Sequence, residues 1–303
     1  MSEVTGPVPA VSAVGLGKSY RRGQWALRDC GFTVPAGRVC GVVGPNGAGK
    51  STLFGLMAQL FAPSEGELRI FGEPAGAPGL RERIGCVTQS KPLYPSFTVE
   101  ETLRLGRELN PRWDEAGARR VVELGELSPT ARVGSLSGGQ RSRVALALAI
   151  GKRPELLLLD EPLADVDPLA RHELMGLLLS EAAEHGTTVL ISSHLLAELD
   201  GAIDHVLLVQ SGRVRLAGEL DEILDNHWLV TGLADGPRPP GDAVEWRVTG
   251  RQATGLLRTD SPVPDAWEPS RPQLEQLLLG YLRNPDSPAP NAHGTPSTCE
   301  AAA

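Results

Sequence analysis

The 303-residue chain is 41% hydrophobic and 22% charged, the balance of a globular protein with one large domain and room for a small second unit. Its net charge of −8 and pI near 5.4 argue against a nucleic-acid-binding surface, because phosphate contact leaves a basic footprint. No apolar run approaches the roughly eighteen residues of a membrane helix; the longest, such as residues 156–159, are broken by charge.

The opening residues, MSEVTGPVPAVS, lack the basic and apolar regions of a signal peptide, which predicts a chain that stays in the cytosol. Residues 11–34 alternate as in an antiparallel meander, with Val11, Val14 and Leu16 before a turn at 21–24, then Ala26, Phe32 and Val34. From Arg38 the pattern changes. VCGVVG reads as a short buried strand running into a glycine-rich turn and then a helix through STLFGLMAQLFA, with Leu53, Leu56, Met57, Leu60 and Phe61 on its buried face. Similar strand-to-helix units recur around Leu156 and Val189, as in a mostly parallel α/β sheet. Between them, at about 90–135, TVEETLRLGREL and DEAGARRVVELGEL predict a helical insertion bounded by Pro92, Pro95, Pro111 and Pro129. Residues 168–185 form a helix with Asp167 as N-cap, Pro168 at its first position and Gly186 at its exit. TTVLISSH is a strand, and HVLLVQ and RVRLAG make a hairpin through Ser211-Gly212 before the short helix LDEILD. The main domain is thus expected over 11–225. Beyond it, EWRVTG, ATGLLRTD and the amphipathic PQLEQLLLGYL predict a small α+β appendage over 226–283, and the Pro/Ser/Ala-rich residues 284–303 predict a disordered tail.

Cys30, Cys40, Cys86 and Cys299 show no CxxC spacing and no neighbouring His pair, so they are expected as small hydrophobes rather than zinc ligands or disulfides. Lysine occurs only at 18, 50, 91 and 152. Lys50 closes the stretch Gly44-Pro45-Asn46-Gly47-Ala48-Gly49-Lys50-Ser51, followed by Thr52, in the strand–turn–helix setting of a P-loop. Glycines there let backbone N–H groups curl around phosphates, and the helix aims its positive end at them. Lys50 is expected on the β and γ phosphates of ATP and Ser51 on Mg²⁺, a hard cation that takes oxygen ligands. An acidic pair, Asp160 and Glu161, ends the apolar strand at 156–159, where open α/β sheets bind ligands. Asp160 is expected to hold the metal and Glu161 to polarise the attacking water.

Leu136-Ser137-Gly138-Gly139-Gln140-Arg141 opens another helix and offers a second anion site, redundant within one subunit. Its LSGGQ is the signature sequence of ATP-binding cassette (ABC) ATPases, and the chain resembles that family over about 11–225. The resemblance implies a P-loop NTPase core with an antiparallel β subdomain, and a nucleotide sandwiched between one subunit's P-loop and the other's signature. Ser137 and Gly139, with Gly138 and Gln140 beside them, would then meet the partner's γ-phosphate. Gln89 matches the glutamine that touches Mg²⁺, His194 the histidine that contacts the γ-phosphate, and Tyr20 the aromatic that stacks on adenine. Asp167 matches the aspartate of the loop before the long helix, while Ala164 and Val166 depart from the family's usual Ser and Leu. Implied partners are a second ABC ATPase subunit, as homodimer or heterodimer, and polytopic permease subunits at the cytoplasmic face of the membrane. The permease would dock near KPLYPSFTVEETLRL, where Leu93, Tyr94 and Phe97 cluster. A soluble ABC ATPase acting on ribosomes or DNA is the alternative. This chain has one cassette, without the charged linker or coiled coil of those relatives. Intact Lys50, Asp160, Glu161 and His194 oppose a non-hydrolysing partner. The appendage is too short for the large C-terminal domains of sugar-type importer subunits, and the whole chain resembles drug- or peptide-export cassettes with separate permeases, so export is the expected direction.

Overall fold

The computed structural model describes residues 7–20, 23–193, 196 and 199–285. The expected tail from residue 286 onward, Cys299 and His194 lie outside the described residues.

Strands β1 (Val11–Ser19) and β2 (Trp25–Val34) pair antiparallel, as the alternation predicts. β3 (Val39–Val43) is buried at every position and leads into α1 (Lys50–Met57). This helix ends earlier than its apolar spacing suggests. Gln59 adopts φ 57°, which breaks the helix, and Phe61 folds back so closely that a β-carbon on Gly55 would lie 2.5 Å from its ring. Leu60 is left 63% exposed instead of joining the buried face. β4 (Glu65–Ile70) and β5 (Glu73–Pro74) complete a four-stranded antiparallel sheet in the order β2-β1-β4-β5.

β6 (Ile84–Val87) precedes the insertion, which contains α2 (Val99–Leu109) and α3 (Glu115–Glu123) and leads into α4 (Gly138–Gly151). Reciprocal bonds between Thr98 and Glu101 cap α2, and Asp114 caps α3 by accepting from Gly117 N. The residues before α2 are zipped to those before α4, with Gly134 N donating to Pro95 O and Val133 N to Phe97 O, both at 2.9 Å.

β7 (Leu156–Asp160), α5 (Pro168–His185) and β8 (Thr188–Ser192) follow, both strands fully buried. α5 is bounded as its sequence signals predict. The Asp167 carboxylate accepts from Ala170 N at 3.0 Å, Pro168 opens the helix, and Gly186 ends it at φ 64°. β9 (His205–Gln210) and β10 (Arg213–Glu219) form the hairpin, with Ser211 and Gly212 both at positive φ. The main sheet runs β10-β9-β3-β8-β7-β6, parallel except for the β9–β10 edge. Apolar side chains fill both its faces, which explains the continuous rather than alternating hydrophobicity of β3, β7 and β8.

After α6 (Leu220–Asp225) come β11 (His227–Leu233), β12 (Asp242–Thr249), β13 (Gln252–Arg258), β14 (Trp267–Ser270) and α7 (Leu274–Arg283). The strands make a third, antiparallel sheet in the order β12-β13-β11-β14. Leu256, Leu274, Leu277, Leu278 and Tyr281 belong to the same buried cluster as Leu208, Leu216 and Leu220. Polar bonds join the two parts as well: Gln210 Nε2 donates to Leu282 O at 2.8 Å, and His227 Nδ1 lies 2.6 Å from Ile223 O.

Candidate functional site

The glycine-rich loop runs in a channel that admits no side chain at two points. A β-carbon on Gly44 (φ 152°) would sit 2.0 Å from Val209 O, and one on Gly49 (φ 112°) 2.7 Å from Ala26 O. Ala48 N donates to Pro45 O (3.1 Å) within the loop, and Gly212 N donates to Ala48 O (3.0 Å), which ties the loop to the turn between β9 and β10. Gly49 supplies no capping side chain to α1, so the first N–H groups of the helix are kept for an anion.

Lys50 is buried, and its Nζ donates to Gly44 O (2.7 Å) and Pro45 O (3.2 Å). Burial pushes its ammonium below the usual lysine range, while the Glu161 and Asp160 carboxylates oppose that shift. A cavity of about 430 Å³ opens beside it. Asn46, Gly47, Gly49, Lys50, Ser51 and Thr52 line this cavity, together with Gln89 from beyond β6, Glu161 from beyond β7, and Ala26 from β2. Three separate segments therefore converge on one anion-binding loop.

Asp160 is 5% exposed at the end of β7, and its Oδ1 accepts from the Ser192 hydroxyl at 2.8 Å. The same Ser192 oxygen accepts from Glu161 N at 2.8 Å. Ser192 thus orients both acidic residues, with Glu161 held in the left-handed region at φ 49°. Sequence reasoning missed Ser192 and Ala26. The signal for Ser192 was its place at the end of the strand TTVLISSH, one strand over from the acidic pair. Tyr20 reaches the cavity edge through its hydroxyl, 3.4 Å from Thr52 Oγ1, and its half-exposed ring stands edge-on to Phe61 at 6.1 Å.

Ser137, Gly138, Gly139, Gln140 and Asp167 do not line that cavity. Ser137 Oγ accepts from Gln140 N at 3.2 Å, and Gln140 Oε1 accepts from Ser137 N at 2.9 Å, a capping box at the start of α4. Gly138 and Gly139 press against Asp165, where β-carbons on either would approach to 2.9 Å. Asp167 is exposed at the start of α5.

The mostly parallel sheet, the glycine loop opening α1 and the acidic end of β7 define a P-loop nucleotide-hydrolysing fold, here joined to an antiparallel sheet and a helical insertion. Comparison with known proteins narrows the class. The family description "ABC transporter" matches residues 27–164. An ABC transporter ATP-binding protein of Nostoc sp. is 33% identical over 222 residues, which are 69% of this chain and 66% of that protein. The Nod factor export ATP-binding protein I of Bradyrhizobium diazoefficiens is 35% identical over 72% of this chain and 73% of its own length. The hemin import ATP-binding protein HmuV of Streptomyces coelicolor is 37% identical over 72% of this chain and 81% of its own. Among solved structures, the dimeric post-hydrolysis cassette MJ0796 bound to ADP and Pi superposes with a TM-score of 0.63 at 27% identity, covering 69% of this chain and 98% of that one. The chain belongs to the ABC transporter family, as an ATP-binding subunit with the ATPase cassette fold.

Proposed function

We propose that two cassettes close on Mg·ATP and hydrolyse it to drive a separate permease, with Lys50, Glu161 and His194 as the catalytic groups. The observation that carries this reading is the split site. One cavity holds the P-loop, Gln89 and Glu161, whereas the signature turn and Asp167 stand away from it. A second copy would bring its Ser137 and Gly139 to the γ-phosphate. The dimeric cassette of similar fold supports this arrangement.

Within one subunit, the loop N–H groups and Lys50 bind the phosphates, and Glu161 orients the water that attacks in line. The donor set of Ser51 hydroxyl, Asp160 carboxylate and Gln89 amide oxygen fits a hard divalent cation, with Asp160 fixed by Ser192. Mg²⁺ bound there would neutralise charge between the β and γ phosphates. Tyr20 is the residue proposed for adenine, aided by the rim residue Ala26.

The permease is proposed to dock at the cytoplasmic face of the membrane, on the stretch after Gln89. Tyr94 is 61% exposed there, its ring 5.1 Å from that of Phe97, whereas Leu93 packs on the core. A groove of about 470 Å³ among Leu60, Cys86, Asn110, Leu148 and Lys152 offers a second foothold. Residues 11–225 are read as the motor and 226–283 as the appendage. Export is the preferred direction, supported by the short appendage and the likeness to the Nod factor export protein. Import is the second reading, favoured by the likeness to the hemin import protein. Co-purification from the native membrane identifies the permease and decides between them.

The composite site is tested with Glu161→Gln. The amide keeps the shape of the carboxylate but little of its basicity, so ATP binds while hydrolysis stops. The variant is expected to elute as a dimer with Mg·ATP and as a monomer without it, and added Ser137→Arg should restore the monomer. Wild-type hydrolysis by Glu161→Gln would remove Glu161 from the chemistry.

A further inference from the structure

Lys91 lies two residues beyond Gln89 and turns its side chain inward, 7% exposed, although lysines ordinarily keep the ammonium in water. Its backbone sits at φ 45°, with Lys91 N donating to Thr88 O (3.0 Å) and Leu93 N to Lys91 O (2.8 Å). The ammonium meets Asp165 Oδ2 at 2.8 Å. That contact is the first cause holding the Asp165 carboxyl below its usual range. Asp165 in turn is the seat of the signature turn. A β-carbon on Gly138 would lie 2.9 Å from Asp165 Cβ, and one on Gly139 2.9 Å from Asp165 O.

The stretch beginning at Lys91 is therefore joined to the signature turn by two routes. The first is the backbone zipper from Pro95 and Phe97 to Val133 and Gly134, three residues short of Ser137. The second runs from Lys91 through Asp165 to Gly138 and Gly139, beside the segment that leads to Asp167. Packed groups joined at both ends transmit displacement rather than absorb it.

We propose that Lys91 and Asp165 are a positioning pair that seats the signature turn. Movement of the exposed Tyr94–Phe97 stretch then reaches the surface that meets the second subunit. What those surfaces meet rests on the function proposed above; the hold on the turn does not.

The pair is asymmetric, and this makes it testable. Losing the Asp165 charge strands an ammonium that is 7% exposed, whereas losing Lys91 leaves a carboxylate whose side chain is already 57% exposed. D165N should lower Tm more than K91M does, and K91M/D165N should recover most of that loss.

The deciding measurement is hydrogen exchange at the amides of residues 140–142 in the full chain, comparing wild type, K91M/D165N and the swap K91E/D165K. Exchange is expected to rise about tenfold in the double variant and to return within about threefold of wild type in the swap. ATP affinity of the separate subunit should stay the same in all three. In the Glu161→Gln background, ATP-dependent dimerisation should weaken with the double variant and recover with the swap. Unchanged exchange in the folded double variant overturns the proposal, and so does a rise that the folded swap fails to reverse. If exchange behaves as expected while the Glu161→Gln parent never dimerises, the composite site is wrong and the positioning pair stands.

Discussion

Ser192 is a hydroxyl with two tasks, accepting from Glu161 N and donating to Asp160 Oδ1. Replacing it with alanine leaves a buried carboxylate oxygen and a backbone N–H without their partner, a loss of about 1–3 kcal/mol in stability. Because the acidic pair also loses its orientation, Ser192→Ala is expected to lower ATP turnover roughly tenfold to a hundredfold with ATP affinity little changed. A filter-binding assay run beside steady-state kinetics separates these quantities. Equal losses of turnover and affinity would place Ser192 in phosphate binding instead. Lys50→Ala acts differently, since it removes the cation from the loop itself. Turnover at saturating ATP should fall by on the order of 10²–10³ or more, and ATP affinity should fall with it. Wild-type turnover in that variant would refute the phosphate role of Lys50.

α5 shows how far an element can be read before its neighbours are known. Its cap, its opening proline and its closing glycine are local signals, and the helix lies where they place it. What they could not reveal is Glu181, 7% exposed on this helix, whose carboxyl burial pushes above the usual range while His185 and Arg120 oppose the shift. A carboxyl raised in the folded state favours folding in its protonated form. That contribution is complete below the ordinary glutamate range and is lost as pH climbs through the raised value. Glu181→Gln is therefore expected to be more stable than wild type at pH 8, by roughly 2–4 °C in Tm for about 1 kcal/mol, with the gap closing in acid. A variant less stable at pH 8 would show that the attraction of Arg120 outweighs burial. The same division between local and distant information runs through the chain. The phosphate loop, the acidic end of β7 and the LSGGQ signature were legible because each is a contiguous motif. The early end of α1 was not, because Phe61 closing on Gly55 is a tertiary event. β11 went unseen beneath a weakly patterned HWLVTGL, and its buried His227 is satisfied by Ile223 O on one ring nitrogen and by the Tyr281 hydroxyl, 54 positions away, on the other. Lys91 and Asp165 likewise gave no signal separately, since 74 positions divide them.

The third sheet does not hang from the cassette on a linker, because α7 contributes Leu277, Leu278 and Tyr281 to the core that β9 and β10 share. The appendage is thus packed on the cassette, and the second half of the ATP site proposed above would come from another molecule. Whether that molecule is a second copy can be decided by complementation between two inactive chains. Lys50→Ala destroys the P-loop half and leaves the signature intact; Ser137→Arg does the opposite, driving a long cation into the turn where Ser137 caps α4. Each mutant homodimer has two broken sites. A mixed dimer has one site broken twice and one site whole, with an intact Lys50 facing an intact Ser137. Random pairing of equal amounts makes half of the dimers mixed, each with one of two sites restored. Activity is then expected to return to about a quarter of wild type if the sites fire independently, and to less if turnover at one site requires ATP at the other. Circular dichroism must first show both variants folded, since Ser137→Arg also removes a helix cap, at a cost of about 1 kcal/mol. Rescue that grows with the mole fraction of either partner and peaks at equal amounts supports a homodimer. No rescue between two folded variants would mean that this chain is built to close on a different cassette protein, and the missing half should then co-purify with it from the membrane.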